Sequence, residues 1–157
     1  MLRQILTYPD PFLSTRALPV KRVDGKIRDL IRDMFETMYA SNGIGLAATQ
    51  VGVGKRVIVV DVSPAVEEEV KPLALVNPEI VEKWGWVEGT EGCLSVPGVE
   101  GMVCRAESVV VRGRNEDGDP VTVEADGLLS RAIQHEIDHL EGILFIDRLA
   151  AAPASAK

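Results

Sequence analysis

The sequence predicts an α+β domain whose antiparallel or mixed β-sheets pack around a central helix. Three patterns predict it: a helix-period stretch near residue 30, β-branched segments through the middle of the chain, and a second helical stretch near the end. At 157 residues the chain is long enough for one domain with a substantial core. No repeat or linker divides it. Residues 1–149 are therefore expected to form a single domain, and residues 150–157, small and polar, a short flexible tail.

The opening "MLRQILTYPDPFLSTRALPV" carries three prolines and little periodicity, so it reads as an extended arm lying on the domain. In "VDGKIRDLIRDMFETMYASNG" the residues Ile27, Leu30, Ile31, Met34 and Met38 recur at helical spacing between charges. Asn42 and Gly43 supply the stop. The run "RVIVVDV" (56–62) is β-branched and apolar almost throughout, as a buried strand would be. The acidic "SPAVEEEVKP" is a solvated loop. The segment "LALVNPEIVEKWGWVEG" predicts strands broken at Pro78 and Gly85. Two strand-like arms around "NEDGD" predict a hairpin. Finally "DGLLSRAIQHEIDHLEG" predicts a helix capped by Asp126 and ended near Gly142. Its apolar residues occupy much of the circumference, so it should be buried on several sides.

Composition narrows the functional classes. A balance of 17 basic to 24 acidic residues, net −7, argues against nucleic acid or an anionic membrane surface as the main partner. No apolar run reaches membrane-spanning length, and no secretory leader opens the sequence. Two cysteines are too few for a disulfide framework. A reducing, cytoplasmic setting is expected, or an organelle if a leader has been removed.

Both histidines of the chain lie in "QHEIDHLEGILF". His135 and His139 stand four residues apart, on one helical face, with Glu136 between them. Two imidazoles so placed can share a metal ion, and the intervening glutamate can act on a water there. A lone helical histidine is more often a satisfied polar group; a pair flanking a glutamate reverses those odds. A catalytic site needs a further ligand, and Cys93 in "EGCLSVPG" is the candidate. Its thiolate would complete a Cys-His-His set with one tetrahedral position open. Taken alone, Cys93 would more simply be a small buried residue. That simpler expectation is kept for Cys104, in the alternating run "MVCRAESVVV". A third segment, "GIGLAATQVG", combines small residues, which allow close backbone approach, with one amide, Gln50, able to donate to a developing oxyanion.

Together "GIGLAATQ", "EGCLS" and "QHEIDH", in this order and separation, resemble the peptide deformylase family. The likeness extends from "YPDPFLSTRALPV" to "HEIDHLEGILFIDRL". It implies a hydrolase that removes the N-formyl group from the initiator methionine of new polypeptides and releases formate. It also implies antiparallel sheets around the helix that carries the HEIDH motif. By residue, the resemblance makes Cys93, His135 and His139 the metal ligands and Glu136 the general acid/base. Gln50 and the backbone N–H of Leu94 become oxyanion donors, and Gly45 a backbone partner of the extended substrate. Fe²⁺ is the family's usual metal, with Zn²⁺, Ni²⁺ or Co²⁺ able to replace it. Ile44, Leu128 and Ala132 are expected to wall the methionine pocket, since Leu128 and Ala132 precede His135 along its helix face. Formyl-methionyl peptides and nascent chains are the expected partners, and the protein is expected to be a monomer. Two departures stand out. Glu100 occupies a position where many relatives carry an arginine or aromatic residue, and the sequence ends at Lys157 where many continue into a long helix. A zinc protease would share the helix motif but usually takes its third ligand downstream of it. A non-catalytic peptide-binding relative would have little use for Glu136.

Overall fold

The computed structural model describes residues 1–67 and 70–149. Among the described residues, two α-helices, α1 (Gly25–Ala40) and α2 (Gly127–Leu140), flank five strands: β1 (Gly45–Ala47), β2 (Val57–Val60), β3 (Leu73–Cys93), β4 (Val96–Arg114) and β5 (Pro120–Asp126). The strands form one antiparallel sheet in the order β1-β2-β3-β4-β5. This is the predicted α+β class. The expected tail, residues 150–157, lies outside the described residues.

The sheet separates two cores, and β2 shows why its sequence is apolar throughout. Val57 and Val59 join Ile27, Leu30, Ile31, Met34 and Met38 of α1, while Ile58 and Val60 join Ala132, Ile133 and Leu140 of α2. Alternate side chains of a strand point to opposite faces, so the two helices cover opposite sides of β2. Helix α1 starts where Asp24 Oδ1 accepts the Ile27 N–H at 3.1 Å and stops at Asn42, whose φ is +58°. Helix α2 follows Asp126 as expected, but that side chain makes no capping hydrogen bond. Nine of the 14 residues of α2 are buried, including the polar Gln134, His135, Glu136, Asp138 and His139. A helix this rich in buried polar groups has to supply them with partners, and most are found in the site described below.

Strand β3 differs from expectation. Pro78 and Gly85 do not break it. The register shifts between Val76 and Glu79, where a bulge takes up Pro78, and again between Ile80 and Glu82. Gly85, at φ +73°, stays in register between Trp84 and Trp86. Asn77, at φ +53°, turns its amide to the N-terminal arm, accepting from Val20 N and donating to Val20 O, both at 2.8 Å. The arm also docks beside the helix pair of histidines through Leu6 N–Gln50 O and Tyr8 N–Ser95 O, each 2.7 Å.

Candidate active site

Helix α2 brings His135 and His139 onto one face, ring centroids 5.0 Å apart. Opposite them stands Cys93. It was expected in an irregular segment, but it is the last residue of β3, paired with Val96 across the turn at Leu94 and Ser95. The tight turn explains the glycine and proline around it, and it fixes the thiol: Cys93 Sγ accepts the Ser95 N–H at 3.4 Å. Cys93 Sγ lies 3.3 Å from His139 Nε2, and one donor atom from each of Cys93, His135 and His139 lies within 4.8 Å of the others. Ligands on one tetrahedral ion with bonds of ~2.1–2.3 Å would be spaced by roughly 3.3–3.7 Å. The donor set therefore suits a single small divalent cation. Cys104 does not join it. It was expected to be a small buried residue and is instead exposed, because its position in β4 points away from both cores.

The surrounding groups favour a cation at this point. Burial alone would lower the pKa of His135, but Glu136, Cys93 and Glu91 outweigh it and hold its protonated form up to about 10. Negative charge that attracts a proton there attracts a metal ion equally. His139 goes the other way: burial, then the charges of His135 and Arg105, push its pKa well down, leaving a neutral imidazole suited to ligation. Glu136 is 4% exposed, and burial raises its carboxyl to about 7. Its Oε1 has no hydrogen-bond partner among the described residues. A buried carboxylate oxygen left open in a polar site is poised for a guest. Gly45 makes room for it, since a Cβ there would lie 2.5 Å from Glu136 Oε2.

Gln50 is buried at the same site. Its Oε1 accepts the Ala47 N–H at 2.9 Å, and its Nε2 donates to Ser95 Oγ at 3.0 Å and to Cys93 Sγ at 3.5 Å. The last contact is long and weak, which leaves one N–H able to turn to another acceptor. A cavity of about 500 Å³ opens over these groups. The expected wall residues Ile44, Leu128 and Ala132 line it, as do Gly45, Leu94 and Glu100. Strand β1 forms one side and is an edge strand, so its outer backbone groups are available to an added chain.

Behind the histidines lies an ionic layer that sequence reasoning missed. Glu91 Oε1 stands 2.9 Å from His135 Nδ1. Arg105 donates to the two Glu91 oxygens at 2.8 and 2.9 Å and to Asp138 Oδ2 at 2.6 Å. Burial opposes the charge of Glu91, but Arg105 and His135 hold its carboxyl well below the usual range. The carboxylate thus orients the His135 ring and leaves Nε2 free for the site. The only hint in the sequence was an acid two residues before the cysteine. Removing the arginine would strand buried acids, so Arg105→Leu is expected to destabilise the fold by about 3 kcal/mol. Urea unfolding measures this; a midpoint equal to that of the parent protein would count against the layer's structural role.

Fold and site together point to the class of metal-dependent hydrolases: one helix carries a glutamate between two histidines, and with Cys93 these could hold a metal ion. Comparison with known proteins gives the family. The family model for polypeptide deformylase matches residues 2–154. The peptide deformylase of Neisseria meningitidis serogroup B is 56% identical over 149 residues, covering 95% of this chain and 87% of that one. That of Chromobacterium violaceum is 52% identical with the same coverage of 95% and 87%. The crystal structure of a Legionella pneumophila peptide deformylase matches with a TM-score of 0.90 at 43% identity, over 99% of this chain and 90% of that one. A Synechococcus elongatus peptide deformylase solved with actinonin gives 0.87 at 45% identity, over 94% and 78%. The chain belongs to the polypeptide deformylase family. It is an enzyme that removes the N-formyl group from newly made polypeptides and releases formate, and it depends on a metal ion.

Proposed function

We propose that Cys93, His135 and His139 hold one divalent ion, natively Fe²⁺, and that Glu136 is the general acid/base of formyl-methionine hydrolysis. The observation that carries this reading is the cluster of three donor atoms within 4.8 Å of one another, with the unpartnered Glu136 Oε1 beside it. Zn²⁺, Ni²⁺ or Co²⁺ fits the same donors. Such an ion supplies Lewis acidity, making hydroxide available near neutral pH and polarising the formyl carbonyl.

The remaining steps belong to this chain. Glu136 accepts a proton from the attacking water and returns it to the departing amine nitrogen. Gln50 Nε2, released from its weak contact with Cys93, and the Leu94 N–H bear the developing oxyanion charge. The extended substrate pairs with the backbone at Gly45 on the open edge of β1, and its methionine side chain lies against Ile44, Leu128 and Ala132. The protein acts on nascent chains in the cytoplasm, where new chains are made, and does so as a monomer. No helix among the described residues is long and apolar enough to cross a membrane.

The decisive assay compares formate release from a formyl-methionyl peptide with cleavage of an unformylated one, using protein purified without oxygen. Formate without peptide cleavage is expected; cleavage of the unformylated peptide would make it a protease instead. Iron and an accessible thiolate together invite oxidation of both. The iron form is therefore expected to lose activity in air faster than a nickel-substituted form. Equal air half-lives would exclude an iron–thiolate centre as the sensitive element.

A further inference from the structure

Among the residues that line the cavity is an arginine, which an apolar methionine pocket does not call for. Arg131 lines it, three residues after Leu128 and four before His135, and so on the same helix face. Its guanidinium crosses from α2 to the β3–β4 ribbon. Nη1 donates to Glu91 Oε2 at 2.7 Å and Val103 O at 2.9 Å, and Nη2 donates to Val87 O at 2.7 Å. Residue 89 is glycine at the point of crossing, where a Cβ would lie 3.0 Å from Arg131 Cζ. The arginine is thus held at three acceptors in a gap left for it.

A guanidinium carries five N–H groups. Three are taken by these bonds, and the Nε–H and one Nη2–H have no acceptor among the described residues. We propose that Arg131 is a specificity-determining residue, presenting hydrogen-bond donors to the tip of the substrate's first side chain. This rests on the reading of the cavity as the pocket for that side chain. A thioether sulfur is a weak acceptor, a sulfoxide oxygen is a strong one, and the isosteric hydrocarbon norleucine is none. The pocket therefore takes a formylated methionine sulfoxide, whose polar oxygen an apolar wall would reject.

Three formyl peptides test this, with methionine, methionine sulfoxide or norleucine at the first position. Their kcat/KM values are compared in the parent protein, Arg131→Leu and Arg131→Lys, with bound metal measured in each. In Arg131→Leu the sulfoxide-to-norleucine ratio is expected to fall about tenfold or more, the effect of one charge-assisted hydrogen bond, and in Arg131→Lys it is expected to fall less. Lysine keeps an ammonium donor but not the fork geometry, so partial rescue marks the donor as the source of the preference, while bound metal reports the support of Glu91. Bound metal should stay near the parent level, because Arg105 still holds Glu91 through two bonds. A ratio in Arg131→Leu equal to the parent's would overturn the proposal, as would metal loss in both variants, which would make Arg131 a strut of the ionic layer only. No formate from the formyl-methionyl peptide with any metal would sink the pocket reading itself, and this inference with it.

Discussion

Cys93→Ala is expected to lose bound metal and activity together, while Cys104→Ala keeps both. The contrast follows from where two chemically identical groups sit. Cys93 Sγ lies 3.3 Å from His139 Nε2, at the end of a strand whose tight turn leaves the thiol little freedom. Cys104 is exposed on the same ribbon and belongs to no group of metal-ligating side chains among the described residues. A thiolate supplies the only formal negative charge among the three donors, so its loss should weaken binding far more than a change of imidazole orientation. Activity should drop to background, because two histidines alone leave the ion exchangeable. Metal analysis after dialysis, run beside the formate assay, checks both halves. Full occupancy in the Cys93 variant would remove the thiolate from the ligand set.

The proposed reacting groups are easy to pick out of the sequence, because their spacing is local. His135, Glu136 and His139 share one helix face, and a four-residue interval is enough to see it. Cys93 needed the contrast with Cys104 and the irregular composition around it, which the structure turns into a strand end and a turn. What the sequence hid was long-range. Glu91 reaches His135 across 44 positions, and Arg105 reaches Asp138 across 33. Such pairs have no periodic signature, since the contact is made by strand register and helix docking rather than by chain spacing. Pro78 and Gly85 misled for a related reason. Their local propensity is to end a strand, but a bulge takes up Pro78 and Gly85 adopts a φ of +73° while the β3–β4 pairing continues on either side. Gly45 was legible as a small residue, yet the reason for its size, the carboxylate of Glu136 lying where a Cβ would be, required both elements in place.

Glu136→Gln separates binding from chemistry, and its expected result is an enzyme that holds metal and substrate but turns over slowly. The substitution preserves the shape of the side chain beside Gly45, where there is no space to spare. It removes the charge and the ability to accept a proton. In this reading Cys93, His135 and His139 suffice to hold the ion, so metal content should match the parent protein. The carboxylate Oε1, buried and without a partner among the described residues, has no structural bond to lose. Stability should therefore change little, or rise, since an uncharged amide is easier to bury than a carboxylate. Turnover should fall by roughly two to four orders of magnitude, the range for losing a general acid–base. Substrate dissociation should change little, because the lost interaction is one made mainly in the transition state. Single-turnover kinetics with a formyl-methionyl peptide, alongside equilibrium binding of the same peptide, measure the two quantities apart. Loss of metal in this variant would make Glu136 part of what holds the ion, and turnover near the parent level would take it out of the mechanism.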